Sequence, residues 1–371
     1  MKRAISAALA LSVIGVLGIA NAQPQPQVLK IQSTWTASMT FQGHLRYLAD
    51  RVDKLTGGTV RIEPLAAGQV VPPFEVADAT HKRVIDGHHA ATYYWIGKNR
   101  AAGLFSGAPG GPFGMDAVDY IGWMYEGGGE ELLREFYQDV LKLNAMPFAG
   151  GPAAPQPLGW FRKPVRSLAD FKGMKCRQTG LAAEMFAKLG QTVVNLPAGE
   201  IAAAAQRGVI DCVELAGGIS DLQVGLPQLF KYHYTPSLHE VSTIGEVVIN
   251  LDVWKSLTLA QQEAIRSAIK DANTTWGAKW QRQNADAMAE FVEKHGVQIL
   301  RTPPDILTAM LKVWDEIVRE ESVKNPFFAK VVESQRAYAA KVVPAKRHLT
   351  PPYSFTANYY WPDQRATPAQ K

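Results

Sequence analysis

The sequence predicts an α/β protein of two units, joined by crossing segments and followed by a long helix towards the C-terminal end. Three observations lead to this fold class. Segments typical of strands and helices alternate in two separate stretches, a Gly- and Pro-rich segment near residue 150 divides them, and one amphipathic pattern continues from Thr258 to His295. With 371 residues, of which 47% are hydrophobic, the chain is long enough for two domains with a large core.

The first unit is predicted to span residues 28–152. It opens with VLKIQSTW, whose alternation and polar end indicate a strand, and continues with a helix that Gly57 and Gly58 end. TVRIEPL then indicates a second strand, PFEVADATHKRVIDG a helix, and HHAATYYWIGK a third strand and loop. This order is typical of a mostly parallel sheet.

The second unit is predicted over residues 153–239, after the crossover segment AGGPAAPQPLGW. The same alternation returns here. Its segments are, in order, the strand GMKCRQTG, the helix LAAEMFAKLG, the strand QTVVNLPA, the helix GEIAAAAQRG and the strand VIDCVELA.

The remaining residues, 240–371, are predicted to return to the first unit through the strand in STIGEVVINLDVWKSL. The long helix over 258–295 begins with Thr258 and Gln261 at the spacing of a capping box. A further helix is expected over about 304–323, and the tail from Pro344 is rich in Pro, Tyr and basic residues.

The N-terminal segment has the three parts of an export signal. Lys2 and Arg3 form a positive region, a short apolar run follows, and ANA at 20–22 provides a small-x-small cleavage site before Gln23. The alternative, a retained membrane anchor, needs a longer apolar run. The sequence therefore predicts a signal peptide over 1–22, a periplasmic protein, and a formal charge that falls from +5 to +3 on loss of its two basic residues.

The two cysteines, Cys176 and Cys212, belong to no C-x-x-C pair. An exported protein permits a disulfide, but a bridge requires a Cα separation that sequence does not give. We expect buried, unpaired thiols rather than a disulfide or a metal site.

Charge and motifs exclude several classes of function. The positive charges form no basic run, so nucleic acid is not expected as a partner. The sequence has no G-x-S-x-G elbow, H-E-x-x-H pair, phosphate-binding loop or dinucleotide-binding fingerprint, and its histidines lack metal-ligand spacing. An exported two-unit α/β protein without a catalytic motif suggests a solute receptor rather than an enzyme.

Three segments resemble one family, the periplasmic solute receptors of tripartite ATP-independent periplasmic (TRAP) transporters. They are SLADFKGMKCR, LPAGEIAAAAQRGVIDCVE and NLDVWKSLTLAQQEAIRSA, in the family's order, and the likeness covers roughly residues 28–330. It implies a two-lobed periplasmic binding protein with crossing hinge strands, whose lobes close on a small ligand that a TRAP membrane subunit then receives.

MYEGGGEELLREF and PLGWFRKPVRSLADFKG are similar to the receptors for 2-oxo acids and lactate. This resemblance implies a small carboxylate such as pyruvate or lactate, bound together with sodium or calcium. The subgroup's frequent Glu-Trp pair is Glu214-Leu215 here, so the shape of the pocket is expected to differ.

The resemblance places Arg177 at the family's ligand arginine. A guanidinium can hold a carboxylate in a bidentate fork, and an analogue without the carboxylate would leave it unpaired. The alternative is an internal salt bridge at a strand end.

A second group combines oxygen donors suited to a hard cation. Glu214 and Glu240 supply carboxylates, Gln156 an amide oxygen, and Leu215 its backbone carbonyl, so that an ion could bridge protein and ligand. Gln156 and Glu240 are also expected to contact the ligand, and the alternative for each acid is a hydrogen-bonded core residue.

Tyr93, Tyr94 and Trp95 end the predicted third strand. Aromatic residues there are more often core, but one hydroxyl could donate to a ligand oxygen, and Tyr94 is the chosen candidate.

Two alternative functions remain open at this stage. One is a secreted carboxylate-processing hydrolase with Glu240 or a histidine as base, and the other is a receptor for an ABC importer. A homodimer is a further expectation, because Trp276 and Trp280 on the long helix suggest an apolar stripe that a partner chain could cover.

Overall fold

A computed structural model of the chain describes residues 25–152 and 154–362. The predicted signal peptide over 1–22 lies outside the described residues. The strands form two sheets and are β1 (Gln27–Ser33), β2 (Val60–Leu65), β3 (Gly87–Ala90), β4 (Ala145–Pro152), β5 (Gly159–Phe161), β6 (Lys175–Arg177), β7 (Thr192–Val194), β8 (Cys212–Val213), β9 (Tyr232–Thr235), β10 (Ile244–Asn250) and β11 (Gln298–Arg301).

Helices cover both sheets, as the alternating pattern predicts. The α-helices are α1 (Thr40–Leu55), α2 (Val76–His81), α3 (Gly111–Gly114), α4 (Ala117–Glu126), α5 (Gly129–Glu135), α6 (Gly180–Lys188), α7 (Ile201–Gln206), α8 (Gly218–Gln223), α9 (Leu226–Leu229), α10 (Leu251–Ser256), α11 (Leu259–Glu293), α12 (Pro304–Lys324), α13 (Pro326–Leu349) and α14 (Tyr353–Tyr360). Short 3-10 helices cover Pro73–Glu75, Thr92–Trp95, Arg100–Leu104, Leu168–Phe171 and Ala198–Glu200, and a π-helical turn covers Phe136–Val140.

The first sheet, which defines lobe I, has the order β2-β1-β3-β10-β4. Strands β1, β2 and β3 are parallel, and β10 lies antiparallel between β3 and β4. Every residue of β10 is buried, because helices cover both faces of the sheet at this position. The sequence analysis placed the strand in STIGEVVINLDVWKSL in this unit, and β10 is hydrogen-bonded between β3 and β4 of this sheet.

The second sheet, which defines lobe II, has the order β11-β9-β5-β8-β6-β7. β6 is parallel to β7 and β8, whereas β5 is antiparallel to β8 and β9. The sequence analysis expected residues 240–371 to return to the first unit. Strand β11 is instead parallel to β9, so this part of the chain also contributes a strand to the second sheet. The reason is α11, which leaves lobe I after α10 and carries the chain to the edge of the second sheet.

Two extended segments cross between the lobes, one from β4 to β5 and one from β9 to β10. They contact each other at the crossing: the Gln156 N–H donates to the Glu240 carbonyl at 2.9 Å, and the Leu158 N–H to the Tyr234 carbonyl at 2.8 Å. Paired crossing segments of this kind form the hinge of a two-lobed binding protein.

Helix α11 connects the lobes along one side by packing on α1 and β4 of lobe I and on α8 of lobe II. It begins with the predicted capping box, in which the Thr258 hydroxyl accepts from the Gln261 N–H at 3.2 Å. Trp276 packs against Gly43, where any Cβ would lie 2.5 Å from the Trp276 ring. Trp276 and Trp280 are 8% and 2% exposed, so they are core residues and not the free apolar stripe expected for a dimer.

Two local expectations are wrong. Tyr93, Tyr94 and Trp95 lie in a 3-10 turn after β3, which ends at Ala90, because the chain must turn where the sheet stops. The tail does not begin at Pro344, since α13 continues across this proline to Leu349.

The cysteines were expected to be unpaired thiols, and this expectation is also wrong. Cys176 on β6 is the direct register partner of Cys212 on the parallel strand β8, and the two form a disulfide with a Cα–Cα distance of 4.5 Å. Export permits a disulfide, but this pairing could not be predicted because it depends on which strands are neighbours. Within the described residues, no helix is long and apolar enough to cross a bilayer.

The buried histidine His233 makes stability depend on pH. Its ring nitrogens have no hydrogen-bond partner among the described residues, and burial lowers its pKa to about 4. Between about pH 6.5 and 4 the unfolded chain therefore binds a proton that the folded protein does not, and stability falls as the pH falls through this window. Replacing His233 with Phe should remove about 1–2 kcal/mol of the stability loss between about pH 7.5 and pH 5.

Urea unfolding of the wild type and His233→Phe at both pH values measures this difference. His348→Phe, at an exposed position on α13, serves as the matched control and should follow the wild type. Parallel pH profiles for the wild type and His233→Phe would contradict the assignment.

Candidate functional site

The residues selected from the sequence come together where the two lobes meet. Gln156 and Glu240 lie on the two crossing segments, Arg177 ends β6, and Glu214 follows β8. Tyr94 lies in the 3-10 turn of lobe I, beside a small cavity that Gln156 and Leu215 also line. The site therefore draws on both lobes and on the hinge between them.

Arg177 is 1% exposed and forms a buried ion pair with Glu214, with 2.6 Å between Nη1 and Oε1. Nη1 also donates to the Glu214 carbonyl at 2.8 Å, and Nε donates to the Leu196 carbonyl at 3.1 Å. Burial alone would lower the pKa of Arg177, but the negative charge of Glu214 raises it above its usual value.

The geometry limits how Arg177 could hold a ligand. Nη2 makes no hydrogen bond to a described residue, whereas Nε and Nη1 already have protein acceptors. A bidentate fork would require one of those bonds to be given up, so a single-nitrogen contact through Nη2 fits better. The internal salt bridge and the ligand role are thus compatible.

Glu214 has one satisfied oxygen and one that lacks a partner. Oε1 accepts from Arg177 and, at 3.3 Å, from the Thr179 hydroxyl. Oε2 is buried without a hydrogen bond to any described residue, and His239 Nε2 lies 3.9 Å from it. An unpartnered carboxylate oxygen at this depth is costly unless it meets a donor or a cation.

Glu240 is 3% exposed, and its Oε2 accepts from Gln156 Nε2 at 2.5 Å and from the Thr243 hydroxyl at 3.3 Å. Burial, followed by the negative charge of Glu214, raises the pKa of Glu240 well above its usual range. Gln156 Oε1 is buried with no partner among the described residues. Two acids thus share one arginine in a site closed from water.

Aromatic residues form the lobe I wall of the cavity. Burial raises the pKa of both the Tyr93 and Tyr94 hydroxyls, so both are donors at neutral pH. Trp35 stacks on Phe41 with 4.1 Å between ring centroids. Sequence analysis named Tyr93 but chose Tyr94, and it missed Trp35 and Phe41, all of which line the cavity. The position of Trp35 just after β1 could have drawn attention to it, whereas Phe41 lies in α1 and carries no such signal.

The oxygen donors present at the site fit a hard cation. Gln156 Oε1 and Glu214 Oε2 are both buried without partners, and the Leu215 carbonyl accepts no hydrogen bond from a described residue. In the described part of the chain, no three His, Cys, Asp or Glu side chains form a metal cluster. Any ion site here therefore depends on amide and carbonyl oxygens as well as carboxylates, a mixture that suits sodium or calcium.

A family model described as "Bacterial extracellular solute-binding protein, family 7" matches residues 31–325. The chain belongs to this family. Its members are TRAP solute-binding proteins, so the fold class expected from sequence, a two-lobed binding protein with a long helix, is confirmed. The hydrolase and the ABC-importer receptor are not favoured.

Three relatives make the likeness more specific. A monocarboxylate 2-oxoacid-binding periplasmic protein of Nostoc sp. is 32% identical over 314 residues, which is 84% of each chain. A TRAP solute-binding protein of Bordetella bronchiseptica, a mixed-occupancy dimer with copurified calcium and picolinate, is 27% identical with a TM-score of 0.84 over 90% of this chain and 97% of that one. A TRAP protein of Pseudoalteromonas atlantica with bound sodium and pyruvate is 27% identical with a TM-score of 0.82, over 91% and 99% of the two chains.

Replacing Arg177 with Lys in this receptor should weaken binding of a monocarboxylate by about 1–3 kcal/mol, the range for a charge-assisted hydrogen bond. Lysine keeps the charge but has a single nitrogen, whereas Nε and Nη1 of the guanidinium now serve protein acceptors and Nη2 remains for the ligand. Isothermal titration calorimetry with pyruvate measures the change. Arg166→Lys, at an exposed position in the same lobe, is the control and should bind like the wild type. An unchanged dissociation constant for Arg177→Lys would remove Arg177 from the site.

Proposed function

We propose that this receptor captures a small 2-oxo or 2-hydroxy monocarboxylate, such as pyruvate or lactate, together with a sodium or calcium ion, and delivers it to TRAP membrane subunits. It does so in the periplasm, after loss of residues 1–22, and without catalysing a reaction. The observation that supports this proposal most directly is a pair of buried oxygens without partners among the described residues: Gln156 Oε1 on a crossing segment and Glu214 Oε2 just after β8. The ligands of the relatives from Nostoc, Bordetella and Pseudoalteromonas support the same chemical class.

The proposed ion ligands are Gln156, Glu214, Glu240 and the Leu215 carbonyl. The ion would supply positive charge between the acids and the carboxylate of the ligand. Without that charge, Arg177 alone would face two acids and an anionic ligand, and in a closed cleft this repulsion costs several kcal/mol by order of magnitude.

The ligand itself is proposed to contact Arg177, Gln156, Tyr94 and Glu240. Arg177 offers the free Nη2, and the Tyr94 hydroxyl remains protonated and able to donate. Because these residues come from lobe I, lobe II and the hinge, a ligand held by all of them binds the closed form more tightly than the open one. This difference in affinity is what drives closure.

Ion and ligand should bind cooperatively. After dialysis against chelator in sodium-free buffer, affinity for pyruvate should fall by about 5–150-fold, as expected for a coupling of about 1–3 kcal/mol, and should return on adding sodium or calcium. Glu214→Gln should weaken this response without unfolding the protein, since the amide keeps the shape of the site. The control Glu131→Gln, 71% exposed at its side chain, should respond like the wild type.

Equal affinity in sodium-free chelator and in metal-replete buffer would exclude the bridging ion. In that case Glu214 and Glu240 would be hydrogen-bonding partners of the ligand.

We also propose a homodimer, now through the C-terminal end of the chain. Helix α14 has no buried residue, and five aromatic residues in and after it are 65–82% exposed: Tyr353, Phe355, Tyr359, Tyr360 and Trp361. Such a patch is typical of a protein–protein contact. Sedimentation at tens of micromolar should show a dimer for the mature chain and a monomer after truncation at Thr350, and a monomeric mature chain would contradict the proposal.

A further inference from the structure

We propose that Asp221 is a positioning residue for the Leu215 carbonyl. This inference rests on the proposed function, in which that carbonyl is an ion ligand. Asp221 is not itself one of the proposed ligands, and no motif in the sequence pointed to it.

Asp221 is fully buried at the start of α8 and accepts three hydrogen bonds. Its Oδ1 accepts from the Ala216 N–H at 3.2 Å and from the Gly217 N–H at 2.9 Å. Its Oδ2 accepts from Trp160 Nε1 at 2.6 Å. The side chain thus joins the turn after Glu214 to the core of lobe II.

The link to Leu215 follows from the planarity of the peptide group. The Ala216 N–H and the Leu215 C=O belong to the same peptide unit, which is trans, so they point in opposite directions. When Asp221 fixes the direction of the N–H, it also fixes the carbonyl, which must point away from Asp221. Both residues of this peptide line the cavity.

The peptide on the other side of Leu215 is held as well. The Glu214 carbonyl accepts from Arg177 Nη1 at 2.8 Å, so the two peptide units that flank Leu215 are fixed by Arg177 and Asp221. Gly217 then turns the chain at a φ of 77°, a left-handed value that favours glycine. Leu215 therefore has little backbone freedom.

The position requires a carboxylate because all three partners are donors. An asparagine could keep two of the bonds through Oδ1, but its amide nitrogen would face the Trp160 N–H. Burial makes the charged form costly, and raises the pKa of Asp221 to about 6, so the three hydrogen bonds offset a real desolvation cost.

Calorimetry with pyruvate, with and without sodium or calcium, tests the inference. In Asp221→Ala most of the ion's enhancement of ligand affinity should be lost, because losing a residue that orients a metal ligand weakens metal binding by about 10–100-fold, while ion-free affinity stays close to the wild-type ion-free value. Hydrogen exchange of the Ala216 and Gly217 amides, measured on ion-free protein, should accelerate. Tyr234→Phe, which removes a buried hydrogen bond to Val165 N elsewhere in lobe II, is the matched control and should retain the full ion effect.

A second comparison separates position from charge and remains available if Asp221→Ala does not fold. In a Trp160→Phe background, Asp221→Asn loses the charge but keeps Oδ1 as acceptor, so the ion effect should be largely retained. The inference is wrong, and Asp221 acts through its charge, if Asp221→Asn in this background loses as much of the ion effect as Asp221→Ala. If Asp221→Ala does not fold, loss of most of the ion effect in Asp221→Asn leads to the same conclusion. If the ligand affinity of the wild type depends on the ion and Asp221→Ala keeps the full ion effect, only this inference is overturned. If the ligand affinity of the wild type does not depend on the ion, the proposed function and this inference are overturned together.

Discussion

The buried ion pair between Arg177 and Glu214 determines how the site is built. Two charges that are each 1% exposed need further hydrogen bonds, and the backbone carbonyls of Leu196 and Glu214 accept from Nε and Nη1 of the arginine. These carbonyls fix the segments after β7 and β8 relative to β6. The disulfide between Cys176 and Cys212 ties the same two strands, β6 and β8, immediately beside the pair. Lobe II therefore presents Arg177, Glu214 and Leu215 on a rigid base.

The crossing segments transfer this arrangement to the other lobe. Gln156 and Glu240 are hydrogen-bonded through both backbone and side chain. A substitution of either residue would therefore alter the contacts of both segments that connect the lobes. The raised pKa of Glu240 reflects burial and the neighbouring charge of Glu214, which means that electrostatics also couple the hinge to lobe II. Helix α11 packs on both lobes and also supports the cavity wall, because Trp280 contacts Phe41 with 4.5 Å between ring centroids.

The sequence predicts those structural features that depend on residues close together in the chain. The capping box of Thr258 and Gln261, the strand β10 and the alternation of strands and helices depend on neighbouring residues and could be predicted. The disulfide and the anchoring role of Asp221 depend on strand order and on turns between distant segments, which no spacing encodes. Arg177 and Glu214 of the proposed site were selected through resemblance to the family, whereas Tyr93 and Trp35, which line the cavity, carry no motif. Their place in the cavity follows from the ends of β1 and β3 in the same sheet.

The aromatic residues that line the cavity from lobe I influence which ligands the receptor can bind. The subgroup's tryptophan after the glutamate is Leu215 here, and Leu215 and Ala216 leave lobe II with small or aliphatic side chains at the cavity, while Trp35 stacked on Phe41 supplies aromatic surface from lobe I. The charged contacts come from lobe II and the hinge, and the Tyr94 hydroxyl adds one donor from lobe I. A ligand with a carboxylate at one end and an apolar group at the other would then contact lobe I mainly through its apolar end. The hydrophobic contact would thus favour the closed state, while the charged contacts of lobe II would bind in either state and set which head group is accepted.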